Sequence, residues 1–315
     1  MHAQWKGTAK VPARAIVAGL ICLFAAASAG GETLRANRGG LMPTVRGGLE
    51  DEQTLGPAGL TVDDTSVFVA DPLASRAIEF DKALRPLRAW PFAIAPHDLL
   101  RLASGQLCAI DAAAERLECR ASATAAGPSI ARRLRRGAMA LVRGPADAVW
   151  ALRGDGFTGP AWGADALVHA MPLGIGPSWQ AAGLWRGRDR VEVQMWPWRV
   201  RPDDKGVEPS RTLAFAAPTG WQAGSVRPLR MDAQGRIYVA VEWLAGARQL
   251  QVLTEVVRID GAGLRSAIGW PAATYAPALQ DLEVDANGGV WRLYHSPGRV
   301  HVDAFSADAW RAVTR

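Results

Sequence analysis

Residues 55–81 read LGPAGLTVDDTSVFVADPLASRAIEFD, and the fold is decided in this stretch. It divides into three short apolar runs. Gly59 to Val62 ends at the turn Asp63-Asp64-Thr65-Ser66, Val67 to Ala70 alternates β-branched and other side chains, and Arg76 to Phe80 follows Asp71-Pro72-Leu73-Ala74-Ser75. Runs this short, bounded by Asp, Ser and Pro, read as strands of an antiparallel meander. The pattern returns at 279–305 as LQDLEVDANGGVWRLYHSPGRVHVDAF, and its first half returns at 226–241 as VRPLRMDAQGRIYVAV. Asn287-Gly288 and Gln234-Gly235 supply the positive φ that tight hairpins require.

The turn that ends the first strand of each unit serves as a ruler. It falls at Asp63, Ala103, Arg143, Arg186, Asp232 and Asp285, spaced by 40, 40, 43, 46 and 53 residues. A second marker keeps the same phase: Trp90-Pro91, Gly127-Pro128, Met171-Pro172, Ala217-Pro218 and Trp270-Pro271 lie 12 to 15 residues ahead of the ruler. Proline cannot donate to a ladder, so it is expected where the chain passes from one unit to the next. Units of this length, with three or four short strands each and no helical period, predict an all-β chain folded as a six-bladed β-propeller over 55–315.

Gly56 to Phe80, with Pro57, Val62-Asp63, Phe68-Val69-Ala70-Asp71, Arg76 and Phe80, resembles the NHL-repeat propellers. Units five and six share the pattern through Pro228, Met231-Asp232, Gly235, Ile237-Tyr238-Val239 and Leu282 to Trp291. Units two to four keep only the strand pattern. The resemblance implies the fold and leaves the activity open. The gluconolactonase-type propellers of the same shape class carry a metal-ligating Glu in an E-G-P-x-W context near the first blade. Here Leu55-Gly56-Pro57-Ala58 stands in its place, which removes that ligand.

The N-terminus carries Lys6, Lys10 and Arg14, then 15 mostly apolar residues from Ala15 to Ala29 that close on the small-residue site Ala27-Ser28-Ala29. This is the order of a secretory signal, 1–29, and the run falls short of the roughly 20 residues that span a bilayer. The alternative is an uncleaved anchor. No later stretch reads as a membrane span, and the protein is expected to be periplasmic or secreted and monomeric. Residues 30–54 form a lead-in expected to hold a closing strand that pairs with the last unit around Ala309 to Val313. The net charge is +6, and 32 of the 36 basic residues are Arg. Their one dense run, Arg132, Arg133, Arg135 and Arg136, reads either as a nucleic-acid patch or as a solvated strand edge. Outside the cytoplasm the edge is preferred, and no nucleic-acid partner is expected.

Two cysteines remain after signal removal. A hairpin around Ala112 to Glu115 sets Asp111 opposite Arg116, Ile110 opposite Leu117 and Cys108 opposite Cys119, within disulfide reach. An oxidising compartment makes that bond the expected state. Thirteen Trp against seven Phe and three Tyr is the oddest feature of the composition. Most are expected to pack between blades, as Trp150 and Trp291 occupy the slot of Phe68 and Tyr238. Trp196, Trp198 and Trp243, in or beside the irregular stretches 195–211 and 243–249, are the candidates for a ligand surface.

Sites in propellers form where the first strands meet at the axis. The residues entering those strands include His97, Asp98, Arg227, Gln280 and Asp281. His97 and Asp98 could serve as base and orienter, with Asp281 beside them; Arg227 and Gln280 are ligand-binding candidates. No metal site is predicted and no cofactor is expected. The chain therefore reads as an exported binding or scaffold propeller that presents its channel face and Trp-containing loops to a small-molecule ligand or protein partner. The alternative is a metal-dependent lactonase-like hydrolase or lyase with calcium or zinc at the channel, which would need three or more convergent His or carboxylate ligands.

Overall fold

The computed structural model of the chain describes residues 48–50, 53–55, 59–134, 136–144, 147–153, 158–161, 173–174, 179–197, 207–246, 250–271, 281–296 and 299–313. The expected signal, Arg135, Trp198 and Gln280 lie outside them. Strands β1 (Gly48–Glu50) and β2 (Gln53–Leu55) form a hairpin that joins no other sheet among the described residues. Six antiparallel sheets then follow in chain order, which is the architecture of a six-bladed β-propeller. Blade one holds β3 (Leu60–Val62), β4 (Ser66–Asp71), β5 (Arg76–Asp81) and β6 (Pro86–Pro91). Blade two holds β7 (Asp98–Arg101), β8 (Leu107–Asp111), β9 (Arg116–Arg120) and β10 (Ile130–Arg133). Blade three is β11 (Ala138–Arg143), β12 (Val149–Arg153) and β13 (Thr158–Pro160). Blade four is β14 (Leu173–Gly174), β15 (Trp179–Trp185), β16 (Arg190–Pro197) and β17 (Arg211–Ala216). Blade five is β18 (Gln222–Met231), β19 (Ile237–Ala245), β20 (Gln251–Ile259) and β21 (Arg265–Pro271). Blade six is β22 (Leu282–Val284), β23 (Val290–Ser296) and β24 (Arg299–Phe305), and β25 (Arg311–Val313) is the last described strand.

Side chains alternate along a strand, so each blade offers one face to each neighbour. In β4, Val67 and Val69 pack with Trp291, Leu293, Val300 and Val302 of blade six, while Phe68 and Ala70 pack with Leu99, Leu107 and Ala109 of blade two. The same division puts Leu141 and Val149 against Cys108 and Ile110, Val193 against Val239, and Tyr238 against Val290. Because both faces are covered, these strands read as continuous apolar runs and every residue of β4 is buried.

The first-strand turns begin at Asp63, Leu102, Gly144, Arg186, Asp232 and Asp285, as their backbone hydrogen bonds mark. The ruler is therefore one residue late at Ala103 and one early at Arg143. Pro128 does not join two blades, since it precedes β10, the last strand of blade two. The excursion from β9 to β10 places it there.

Ring closure also differs from expectation. Blades one and six meet through the apolar cluster just named and an ion pair between Lys82 and Asp285 at 3.3 Å. β25 pairs not with the lead-in but with β21 of blade five. Trp310 directs it there: the indole is 8% exposed, stands 5.7 Å from the Tyr238 ring and donates to the Gly288 carbonyl.

Candidate functional site

Asp98 opens β7 and is 1% exposed. Its Oδ2 accepts the backbone N–H of Leu141 in blade three at 2.6 Å, and its Oδ1 is buried without a partner. Across the ring, Glu283 sits in β22 with part of its side chain open; its Oε1 accepts the Thr61 hydroxyl of blade one at 3.5 Å, and its Oε2 is buried and unpartnered. Arg227 of blade five pairs with Asp281, at the entry to blade six, at 2.5 Å, both about one-third exposed. Arg230 donates to the Val284 carbonyl, and Arg143 of blade three donates to the Arg101 carbonyl of blade two. Residues from blades one, two, three, five and six meet here. Only the axis of the ring brings their first strands together.

Local sequence explains the approach. A Cβ on Gly59 would lie 2.7 Å from the Asp98 Cα and from its Oδ1, so the entry to blade one must be glycine for Asp98 to seat. Burial pushes the Asp98 carboxyl up to about 8; the N–H groups of Leu141 and Leu99 and the charge of Arg227 oppose that rise, and Glu283 adds to it. Burial likewise pushes Glu283 up to about 7 against Arg143, Thr61, Arg230 and the Val62 N–H. Buried carboxyls that repel one another resist ionising. At neutral pH the axis therefore holds an acid pair that can donate as well as accept, flanked by guanidinium groups.

Among the described candidates, the structure brings Asp98, Arg227 and Asp281 to the axis and leaves His97, Trp196 and Trp243 elsewhere. His97 is adjacent to Asp98 in sequence and so faces away from it; its Nδ1 stands 3.7 Å from Asp111 Oδ1. The two do not form a base and its orienter. Trp243 is not on a loop surface: β19 runs on to Ala245, and the indole is 2% exposed and donates to Glu255 at 2.6 Å. Trp196 is 5% exposed within β16, and its Nε1 has no partner. The residues that sequence reasoning missed are Thr61, Glu283, Arg143 and Arg230. A signal existed for three of them, since Thr61, Arg230 and Glu283 each lie two residues before the turn aspartates Asp63, Asp232 and Asp285.

Among the described residues no three His, Cys, Asp or Glu side chains stand close enough to share a metal ion. The charges of Arg143, Arg227 and Arg230 act on the two buried carboxyls from neighbouring blades.

The fold and site define a β-propeller with a polar axial cluster. The chain matches no protein-family profile and no curated protein sequence. Solved structures with a similar chain path include a member of the duf4221 family from Bacteroides vulgatus, at 8% identity over 91% of this chain and 97% of that one, TM-score 0.49. Virginiamycin B lyase from Staphylococcus aureus is 8% identical over 88% of this chain and 99% of that one, TM-score 0.44. BamB from Moraxella catarrhalis is 15% identical over 89% and 92%, TM-score 0.39. At these values the likenesses carry no argument about function.

Proposed function

We propose that this chain is an exported propeller binding protein that takes a small polar ligand at the end of the channel framed by Asp98, Arg227, Asp281 and Glu283. The observation that carries this reading is the mixed axial cluster, in which carboxyls with about 8 and about 7 as their titration points stand beside arginines contributed by separate blades. A neutral carboxyl donates a hydrogen bond and a guanidinium donates a fork, so the fitting ligand offers acceptors such as carboxylate or sugar oxygens. Export is supported by the signal-like N-terminus and by the disulfide between Cys108 and Cys119. Among the described residues no helix is long and apolar enough to cross a membrane.

A hydrolase or lyase is the second reading, favoured by the same carboxyls, because groups titrating near neutrality suit general acid–base work. Two measurements on the purified protein separate the readings. Thermal shift against amino acids, sugar acids and neutral sugars is expected to find a compound that raises the melting temperature saturably in the wild type and not in Arg227→Ala. Turnover of a lactone or ester substrate that is lost in Asp98→Asn, or stoichiometric zinc or calcium by elemental analysis, would replace binding with catalysis.

A further inference from the structure

Away from the axis, the outer face of blade two carries a groove of about 430 Å³ lined by Ile94, Pro128, Ala131, Arg116, Arg132 and Arg133 among others. Small residues leave the space, and arginines rim it. Glu118 lies at its base, but its charge is already engaged: Oε2 accepts the Ala93 N–H at 2.8 Å and Oε1 takes Arg120 at 2.9 Å. Arg133 pairs with Glu115 at 3.2 Å while 85% exposed, a pair of little strength in water. Arg116 and Arg132 have no carboxylate partner among the described residues.

β10 is the last strand of its sheet, so one of its edges is open among the described residues. The N–H of Leu134 bonds to the Glu115 carbonyl, which sets the phase of the ladder. Alternate residues bond to β9, and the backbone groups of Ala131 and Arg133 therefore face outward. The outward carbonyl of Ala131 is met by the guanidinium of its own neighbour Arg132, at 2.9 Å. Like charges at this edge repel a second copy of it, and the same charges attract an acidic strand.

We propose that the outer face of blade two docks an extended acidic segment of a partner protein, laid along β10 as a fifth strand with its carboxylates on the face shared by Arg116 and Arg133, Arg132 lying on the opposite face of the same edge. Main-chain bonds to the edge supply affinity, and the arginines select the partner. The probe is a fluorescein-labelled peptide of alternating Glu and Val, titrated into the purified protein with anisotropy as the readout. Saturable binding is expected, weakening with salt and falling about tenfold or more in the variant Arg116→Glu, Arg132→Glu, Arg133→Glu. That variant should in turn bind a Lys-Val peptide, which shows that it is folded. Methylating alternate backbone nitrogens of the Glu-Val peptide should abolish binding. No binding, binding indifferent to the charge reversal, or binding indifferent to N-methylation would overturn the proposal. So would arginine-dependent binding to phosphatidylglycerol vesicles by a protein that ignores the peptide.

Discussion

At the scale of single residues, the tryptophans are explained by their indole nitrogens as much as by their area. Trp90 donates to Glu79 at 2.7 Å, Trp243 to Glu255 at 2.6 Å and Trp291 to Asp285 at 3.0 Å. Each lets a carboxylate sit between blades with its charge satisfied. Burial pushes Glu79 up, yet hydrogen bonds from Arg88, Trp90 and Ser66 outweigh it and hold the group below its usual range. Trp90→Phe keeps the ring and removes one donor, so it is expected to cost about 1–3 kcal/mol in chemical denaturation. A loss no greater than that of an exposed substitution such as Leu87→Ala would show the hydrogen bond to be idle. Asp98 has the opposite sign. Its titration point is raised, so its contribution to stability is fully present below about pH 4, near the unfolded value, and is lost as pH climbs towards 8. Carboxylates held low, such as Asp63 and Asp232, lose their contribution only on acidification. Between pH 5 and 8 the wild type is therefore expected to lose stability with a slope of up to about 1.4 kcal/mol per pH unit. Asp98→Asn, which preserves the acceptor for Leu141, should flatten that slope. Parallel curves for the two proteins would remove Asp98 from the account.

At the scale of elements, the central hairpin of the second blade was legible. The register Cys108 to Cys119, Ile110 to Leu117 and Asp111 to Arg116 is the one the structure shows, because a turn at 112–115 leaves only one phase for the flanking apolar residues. The cysteines form a disulfide and both are 0% exposed. Cys108→Ala is expected to lower stability by about 2–3 kcal/mol without preventing folding, since the bond closes a short loop in one blade. Thiol titration of unreduced, denatured protein should find no free thiol; two per chain would contradict the pairing. The destination of β25 was not legible. Nothing in Arg311–Val313 distinguishes one sheet edge from another, and the choice is made by Trp310 seating on Tyr238. Trp310→Ala is expected to cost about 3–5 kcal/mol, as a large buried ring should, and to raise hydrogen exchange along β21. Unchanged exchange there would mean that β25 does not depend on its anchor.

At the scale of the whole molecule, the period is written in sequence, but convergence is not. Turn residues repeat because every blade needs the same hairpin, so six units could be counted. The axial cluster draws one or two residues from each of several blades, and each is ordinary in its own strand: Glu283 reads as the solvent face of Leu282-Glu283-Val284 until the ring places it opposite Asp98. The register error had the same origin. Entry residues such as His97 were selected by position along the strand, whereas alternation decides which side chain faces the axis. The central claim is that blades one and six close the ring, so that Asp98 of blade two and Glu283 of blade six share one axial site. Carboxyl ¹³C NMR titration of the wild type, Asp98→Asn and Glu283→Gln tests it most directly. The expected result is titration near 8 for Asp98 and near 7 for Glu283, with the Asp98 value falling when Glu283 is replaced. Two carboxyls titrating independently at about 4, as free side chains do, would contradict it.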